Sequence, residues 1–175
     1  MGICLSQVHN GKKFMEKTNV MRVLDQKKIK YTPYDYTDKE TTVGTEVAKL
    51  LGQDPDRVFK TLVTVGGKTK KNYVFVIPVA AELDLKKAAK AVGEKSIEMI
   101  KQKELLPLTG YIHGGCSPIG MKKFFMTTIH ETAKNYETIF FSAGKIGYQV
   151  EVAPEDLLKV IRYQTADITV SEDND

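Results

Sequence analysis

The residue least easily explained as ordinary structure is Lys60, in the run Val58-Phe59-Lys60-Thr61-Leu62. The run has the β-branched and aromatic content of a strand. Alternation along a strand puts Val58, Lys60 and Leu62 on one face and Phe59, Thr61 and Val63 on the other. A lysine flanked by valine and leucine either runs its methylenes out to water or points into a cavity. Burying an unpaired ammonium is costly, so a cavity that uses the charge would account for it. A second unusual feature is Gly114-Gly115-Cys116-Ser117-Pro118-Ile119-Gly120, whose glycines let a backbone come close to a ligand. Amides in such a loop can hold an anion or a developing oxyanion, although the loop can equally be a mere connection. Ser142-Ala143-Gly144-Lys145-Ile146-Gly147 has the same character. Two glycine loops at strand ends and one awkward lysine predict a pocket between them.

Other constellations fail on spacing. Gly66-Gly67-Lys68-Thr69 has the ending of a phosphate-binding loop, but the first required glycine is Leu62 and the segment joins two strands. No G-x-S-x-G elbow is present, so an oxyanion loop at His113-Gly114-Gly115 would have no serine to serve. His9, His113 and His130 lack metal-ligand spacing. Cys116 could be a thiol nucleophile with His113 as base. Against that, two glycines separate the pair and no orienting carboxylate is near, which favours a small apolar loop residue.

The elements that must carry these residues follow from periodicity. Thr18 or Asn19 caps a helix with Val20, Val23 and Leu24 at helical spacing. Residues 31–36 are extended, with Pro33 confining them to an edge. A short helix follows Gly44 and stops at Gly52, and Asp54-Pro55-Asp56 starts one more turn. Residues 59–65 and 73–79 form a hairpin turning at Gly66-Gly67. Asp84 leads into a helix through Leu85, Ala88, Ala89 and Val92 that Gly93 closes. A short strand near Ile97 and a helix around Leu105 come next. Strands are then expected at Tyr111-Ile112 and at residues 124–129, 138–142 and 148–152. A helix from Pro154 through Leu157, Leu158 and Ile161 closes the fold. The pattern predicts one α+β domain, a curled mixed sheet with helices around it.

Composition sets the frame. The chain has 175 residues, 42% hydrophobic and 27% charged, as expected of one globular domain. No apolar run is long enough to span a membrane, and no apolar core follows the first charges as in a secretory signal. Cys4 and Cys116 form no CxxC pair, which suits a reducing compartment and predicts a cytoplasmic protein. The formal charge of +4 comes mainly from lysine, clustered at Lys68, Lys70 and Lys71, at Lys86, Lys87 and Lys90, and at Lys122 and Lys123. That permits phosphate contact, while the scarcity of aromatic residues among the clusters gives no indication of base stacking. Met1-Gly2-Ile3-Cys4-Leu5-Ser6 matches a lipidation pattern, or else belongs to a leader ahead of a second start at Met15. The expected organisation is an extension or leader at residues 1–14, a domain at 15–165 and an acidic tail at 166–175.

Taken in order, Val58-Phe59-Lys60-Thr61-Leu62, Pro78-Val79-Ala80 with Leu83-Asp84-Leu85-Lys86-Lys87, Thr109-Gly110-Tyr111 with the loop 114–120, and Ser142-Ala143-Gly144-Lys145 resemble the YbaK family of aminoacyl-tRNA deacylases. The resemblance runs over residues 18–161 and is greatest to the branch that clears cysteine from proline tRNA. It implies a pseudo-barrel of curled sheet holding the aminoacyl-adenosine end of the tRNA. It assigns the functional lysine to Lys60 and the substrate pocket to Tyr36, Thr61, Gly114, Gly115, Ser117, Gly120, Ser142 and Gly144. No metal or organic cofactor is implied, and no membrane. The implied partners are the 3′ end of aminoacylated proline tRNA and prolyl-tRNA synthetase. In the cysteine branch the substrate's own thiol attacks its carbonyl, with the lysine orienting the tRNA end or carbonyl. Cys116, Ala143 and Gln149 depart from the family pattern, and Gln149, where an acidic residue is frequent, bears on which amino acid is preferred. Alternatives from the same residues are a deacylase preferring alanine and a non-catalytic module binding tRNA or synthetase.

Overall fold

The run Tyr73-Val74-Phe75-Val76-Ile77 offers solvent no polar position, so its strand has to be covered on both faces. The computed structural model describes residues 16–171, with the backbone of residues 8–9 and 12–13. The lipidation pattern at residues 1–6, the alternative start at Met15 and the acidic residues 172–175 lie outside the described residues. β1 (Val8–His9) and β2 (Lys12–Lys13) form a short antiparallel pair. The helices are α1 (Asn19–Gln26), α2 (Gly44–Leu50), α3 (Leu85–Val92), α4 (Gln102–Thr109) and α5 (Pro154–Leu157). The remaining strands are β3 (Thr32–Asp35), β4 (Phe59–Gly66), β5 (Asn72–Pro78), β6 (Ile97–Met99), β7 (Met126–His130), β8 (Ile139–Ser142), β9 (Tyr148–Val152) and β10 (Tyr163–Ala166).

Two further sheets form: a mixed five-stranded one ordered β10-β7-β5-β4-β6, and an antiparallel three-stranded one ordered β3-β9-β8. β4 and β5 are the expected hairpin, in register from Phe59 opposite Pro78 to Val65 opposite Asn72. Val74 and Val76 join the main core with Val20, Met21 and Leu24 of α1 and with Phe141 and Val150 of the small sheet. Tyr73, Phe75 and Ile77 join the second core under Ala88 and Ala89 of α3. Local chemistry sets the helix ends. Thr18 Oγ1 accepts from Met21 N at 3.2 Å, Asp84 Oδ1 accepts from Lys86 N and Lys87 N at 3.0 Å, and Gly93 closes α3 at φ 76°. Each such cap contributes about 1 kcal/mol.

The expected single α+β unit of mixed sheet with surrounding helices is present, and the structure differs from expectation in detail. The two sheets do not close into a barrel; one parallel bridge, Val58 to Phe140, joins them. Tyr111-Ile112 is irregular, because the buried Tyr111 donates its hydroxyl to the Ile119 carbonyl and plugs the glycine loop. β7 starts at Met126, which leaves Phe124 in the preceding loop. α5 ends at Leu157 and is followed by β10, whose parallel pairing with β7 has no local signal. Ile168 is fully buried, so packed structure continues past residue 165.

The entry to β4 is held by Arg57. Its Nε and Nη2 donate to the Thr138 carbonyl at 3.1 and 3.0 Å, and Nη2 lies 3.3 Å from Glu151 Oε2. The guanidinium carbon sits 4.9 Å from the centroid of the Phe140 ring. Glu151 also accepts from Tyr34 Oη at 2.7 Å and from Thr138 Oγ1. Burial pushes the Glu151 carboxyl up, but these hydrogen bonds and the Arg57 charge more than offset it and leave its pKa low. Arg57→Ala should therefore cost about 1–3 kcal/mol at neutral pH and lower Tm by several degrees. A carboxylate with a lowered folded pKa contributes stability above its unfolded pKa and loses it as pH falls through the folded value. Melting curves at neutral and acid pH should show the gap between wild type and variant closing in acid; equal Tm at neutral pH would refute the role.

Candidate functional site

Where β4 leaves the bridge at Val58, the two sheets part. A cavity of about 370 Å³ opens there, lined by Lys60 and Thr61 of β4, Phe141 and Ser142 of β8, and Gln149 of β9. Tyr36 after β3, Thr42 and Val43 before α2, Val47 within it, and Leu105 of α4 add to the wall. His113, Gly114 and Cys116 complete it from the glycine loop. Close approach builds this space. A Cβ on Gly44 would stand 2.5 Å from Val79 Cγ1, so only glycine lets the start of α2 rest on that strand end. Gly115 packs backbone to backbone, its Cβ position 3.2 Å from Ile146 N, which brings the two glycine loops into contact.

Lys60 is half-buried on the cavity wall. Among the described residues it forms no ion pair, and no aspartate or glutamate lines the cavity. Burial pushes its ammonium below the ordinary lysine pKa, and the more distant Glu82 pulls back only part of that. Thr61, the next residue of β4 and also on the cavity lining, has its Oγ1 buried without a hydrogen-bond partner among the described residues. A cation and an unsatisfied hydroxyl among the residues lining one cavity are groups that a ligand carrying negative charge and a carbonyl or hydroxyl would satisfy.

The other residues singled out from the sequence divide. Tyr36, Thr61, Gly114 and Ser142 line the cavity with Lys60. Gly115, Ser117, Gly120 and Gly144 are not on the cavity lining. Gly115 N donates to the Ile112 carbonyl at 3.0 Å, and Gly144 N to Ser142 Oγ at 3.1 Å, which commits both amides within their own loops. Ser117 is fully buried, its Oγ accepting from Ile119 N at 3.3 Å. Gly120, at φ 78°, makes room for the Tyr111 hydroxyl, which a Cβ would approach to 2.7 Å. The backbone amides of Gly114 and Cys116, two residues that line the cavity, carry no hydrogen bond among the described residues.

Cys116 is a free thiol on the wall, and burial pushes it up to about 12, so thiolate is scarce at neutral pH. With no carboxylate in the cavity to orient His113, the arrangement lacks the parts of a nucleophile and base. Among the described residues no group of three or more His, Cys, Asp or Glu is placed to hold a metal ion. No helix there is long and apolar enough to cross a membrane. Sequence reasoning missed the contribution of α2, since nothing in Thr42-Val43-Gly44 marks a wall. It flagged Gln149 without foreseeing its partner. Gln149 is buried, its Oε1 accepting from Gln53 Nε2 at 2.6 Å and its Nε2 donating to Gln53 Oε1 at 3.0 Å, a neutral amide pair at the cavity.

A family model for the aminoacyl-tRNA editing domain matches residues 38–160. A protein of Enterococcus faecalis, provisionally named Cys-tRNA(Pro)/Cys-tRNA(Cys) deacylase EbsC, is 51% identical over 162 residues, 92% of this chain and 98% of its own length. A proline–tRNA ligase of Shouchella clausii is 29% identical over 126 residues, which are 71% of this chain and 22% of the ligase. A solved structure provisionally described as a trans-editing enzyme for prolyl tRNA synthetase superposes with a TM-score of 0.74. That superposition covers 89% of this chain and 100% of the other at 24% identity, a likeness of fold.

Proposed function

The chain belongs to the aminoacyl-tRNA editing domain family, and on that premise we propose that it is a trans-editing deacylase. Its substrate on this reading is mischarged proline tRNA, above all that carrying cysteine, and its place of action the cytoplasm. The observation that carries the reading is one cavity lined by both Lys60, whose ammonium is unpaired among the described residues, and Thr61, whose hydroxyl is unpartnered there. The cavity is large enough for the aminoacyl ester of a terminal ribose. Lys60 holds the tRNA end or the ester carbonyl, Thr61 and Ser142 offer hydroxyls, and the Gly114 and Cys116 amides face the developing oxyanion. An aminoacyl ester is already activated, so positioning and oxyanion stabilisation suffice without a protein nucleophile.

With cysteine as the attached residue, the substrate's own sulfur attacks the carbonyl carbon. The ester C–O bond breaks, the ribose oxygen leaves with the thiol proton, and the amino acid departs as a cyclic thioester that water opens. The likeness to a segment of a proline–tRNA ligase supports prolyl-tRNA synthetase as the partner that supplies the error. The Gln53–Gln149 pair favours a small uncharged side chain and keeps alanine as the second candidate, since it puts no charge where the amino acid would lie.

The deciding experiment charges proline tRNA separately with cysteine, alanine and proline and follows release of each. Rapid loss of cysteine with proline retained is the expected result. Loss of alanine alone would move the specificity and keep the enzyme class. Retention of all three, with synthetase present, would overturn the enzymatic reading in favour of a binding module.

A further inference from the structure

Between Ile100 and His130 the only carboxylate is Glu104, whose Oε1 caps α4 by accepting from Lys101 N at 3.1 Å. The same stretch carries Lys101, Lys103, Lys122 and Lys123, all exposed and none in an ion pair among the described residues. Folding sets Lys122 and Lys123 at the C-terminal end of α4, whose N-terminal end carries Lys101 and Lys103. Lys122 N donates to the Thr109 carbonyl at 3.1 Å, and its stem packs against Gly110 at the end of α4. Because β7 begins only at Met126, Phe124 stands in the loop beside Lys122 and Lys123. It is 65% exposed, while its neighbour Phe125 packs into the main core. An exposed phenyl ring next to a core-packed neighbour costs apolar hydration unless something covers it. The sequence places Phe124 and Phe125 directly after Lys122 and Lys123; the fold decides that Phe124 is the ring left exposed. α4 itself reaches the cavity, which Leu105 lines, while Leu106, one residue on, is 51% exposed.

We propose that Phe124 with Lys101, Lys103, Lys122 and Lys123 forms an RNA-binding platform, on which a base next to the 3′-terminal nucleotide stacks while the lysines hold the flanking phosphates. The proposal rests on the editing reading for which nucleotide enters the cavity. The charge of the surface and the unpaired ring carry the choice of RNA as occupant: four unneutralised cations match a polyanion, and a phenyl face accepts any base.

The test uses the full chain and four variants: Phe124→Ala, Phe124→Tyr, and the double changes Lys122→Glu/Lys123→Glu and Lys101→Glu/Lys103→Glu. Fluorescence anisotropy measures binding to an uncharged RNA hairpin with a single-stranded 3′ end. Phe124→Ala should weaken binding about ten-fold and Phe124→Tyr should restore it. Each double variant should weaken binding and flatten its salt dependence, the slope falling by roughly 0.7–0.9 for every phosphate that the lysines no longer neutralise. Turnover should show KM for aminoacyl-tRNA raised with kcat unchanged, and no effect on a minimal aminoacyl-adenosine. Wild-type RNA affinity in Phe124→Ala and both double variants overturns the platform whatever the activity. Loss of synthetase binding with RNA affinity intact overturns it too and assigns the surface to protein. Weakened RNA binding by the variants, in a protein that deacylates neither substrate, sustains the platform while the editing reading fails.

Discussion

Lys60→Ala is expected to reduce deacylation on the order of 100- to 1,000-fold and to leave the fold intact, which is the scale of removing one preorganised electrostatic partner from an enclosed site. The charge is unpaired in the free protein, so no ion pair is broken by the change. Removing a half-buried cation also relieves desolvation, so the variant's Tm should equal or exceed that of wild type. The pH dependence follows from the lowered pKa of Lys60. Above the folded pKa the native chain has released a proton that the unfolded chain keeps until the ordinary lysine value. Stability of the wild type therefore rises with pH across that window. The variant lacks that rise. Activity runs the other way and should fall as pH rises through the depressed value, because the ammonium form does the work. Lys60→Arg keeps the charge with a larger planar head and should recover only part of the rate. Single-turnover rates with aminoacyl-tRNA, alongside melting curves, check all of this; turnover like wild type in Lys60→Ala would remove the lysine from the mechanism.

Gly144→Ala should cost about 2–4 kcal/mol, or roughly 5–15 °C in Tm, the largest stability effect expected at the site. Two effects add. Gly144 sits at φ 90°, outside the comfortable range of an L-residue. Its Cβ would also stand 2.9 Å from both Tyr111 Cε1 and Val20 Cγ2, in the main core. Tyr111 holds the other glycine loop through the Ile119 carbonyl, so a ring pushed aside shifts the wall carrying Gly114 and Cys116. Deacylation should fall together with stability. Gly52→Ala is the control, since Gly52 has φ 66° but nothing within 4 Å of its Cβ position. That change should cost only the conformational part, about 1 kcal/mol. Equal Tm in the two variants would show that packing at Gly144 contributes nothing.

Much of this molecule was legible from residue order because the signals are short-range. Thr18 and Asp84 cap their helices through hydrogen bonds to amides two or three residues on, and Gly93 ends a helix by its own φ. The hairpin of β4 and β5 needs only alternating apolar content and a turn with glycines. Lys60 stood out because strand alternation alone sets it between Val58 and Leu62. β10 was invisible for the opposite reason: Tyr163-Gln164-Thr165-Ala166 has no apolar alternation, and it becomes a strand by pairing with β7, more than thirty residues earlier in the chain. Tyr111 has strand-like chemistry, yet its hydroxyl finds a better partner in the Ile119 carbonyl.

By itself the sequence determined most of the elements, the two glycine loops and the one cation that apolar neighbours make expensive, since propensity, capping and alternation act within a few residues. Only the tertiary structure decided that the sheets part instead of closing and that α2 supplies a wall. Tertiary packing also committed the Gly115 and Gly144 amides inside their loops and bound Gln149 to Gln53. Each of those outcomes joins segments far apart in the chain, chosen by which groups can be satisfied together once the core has packed.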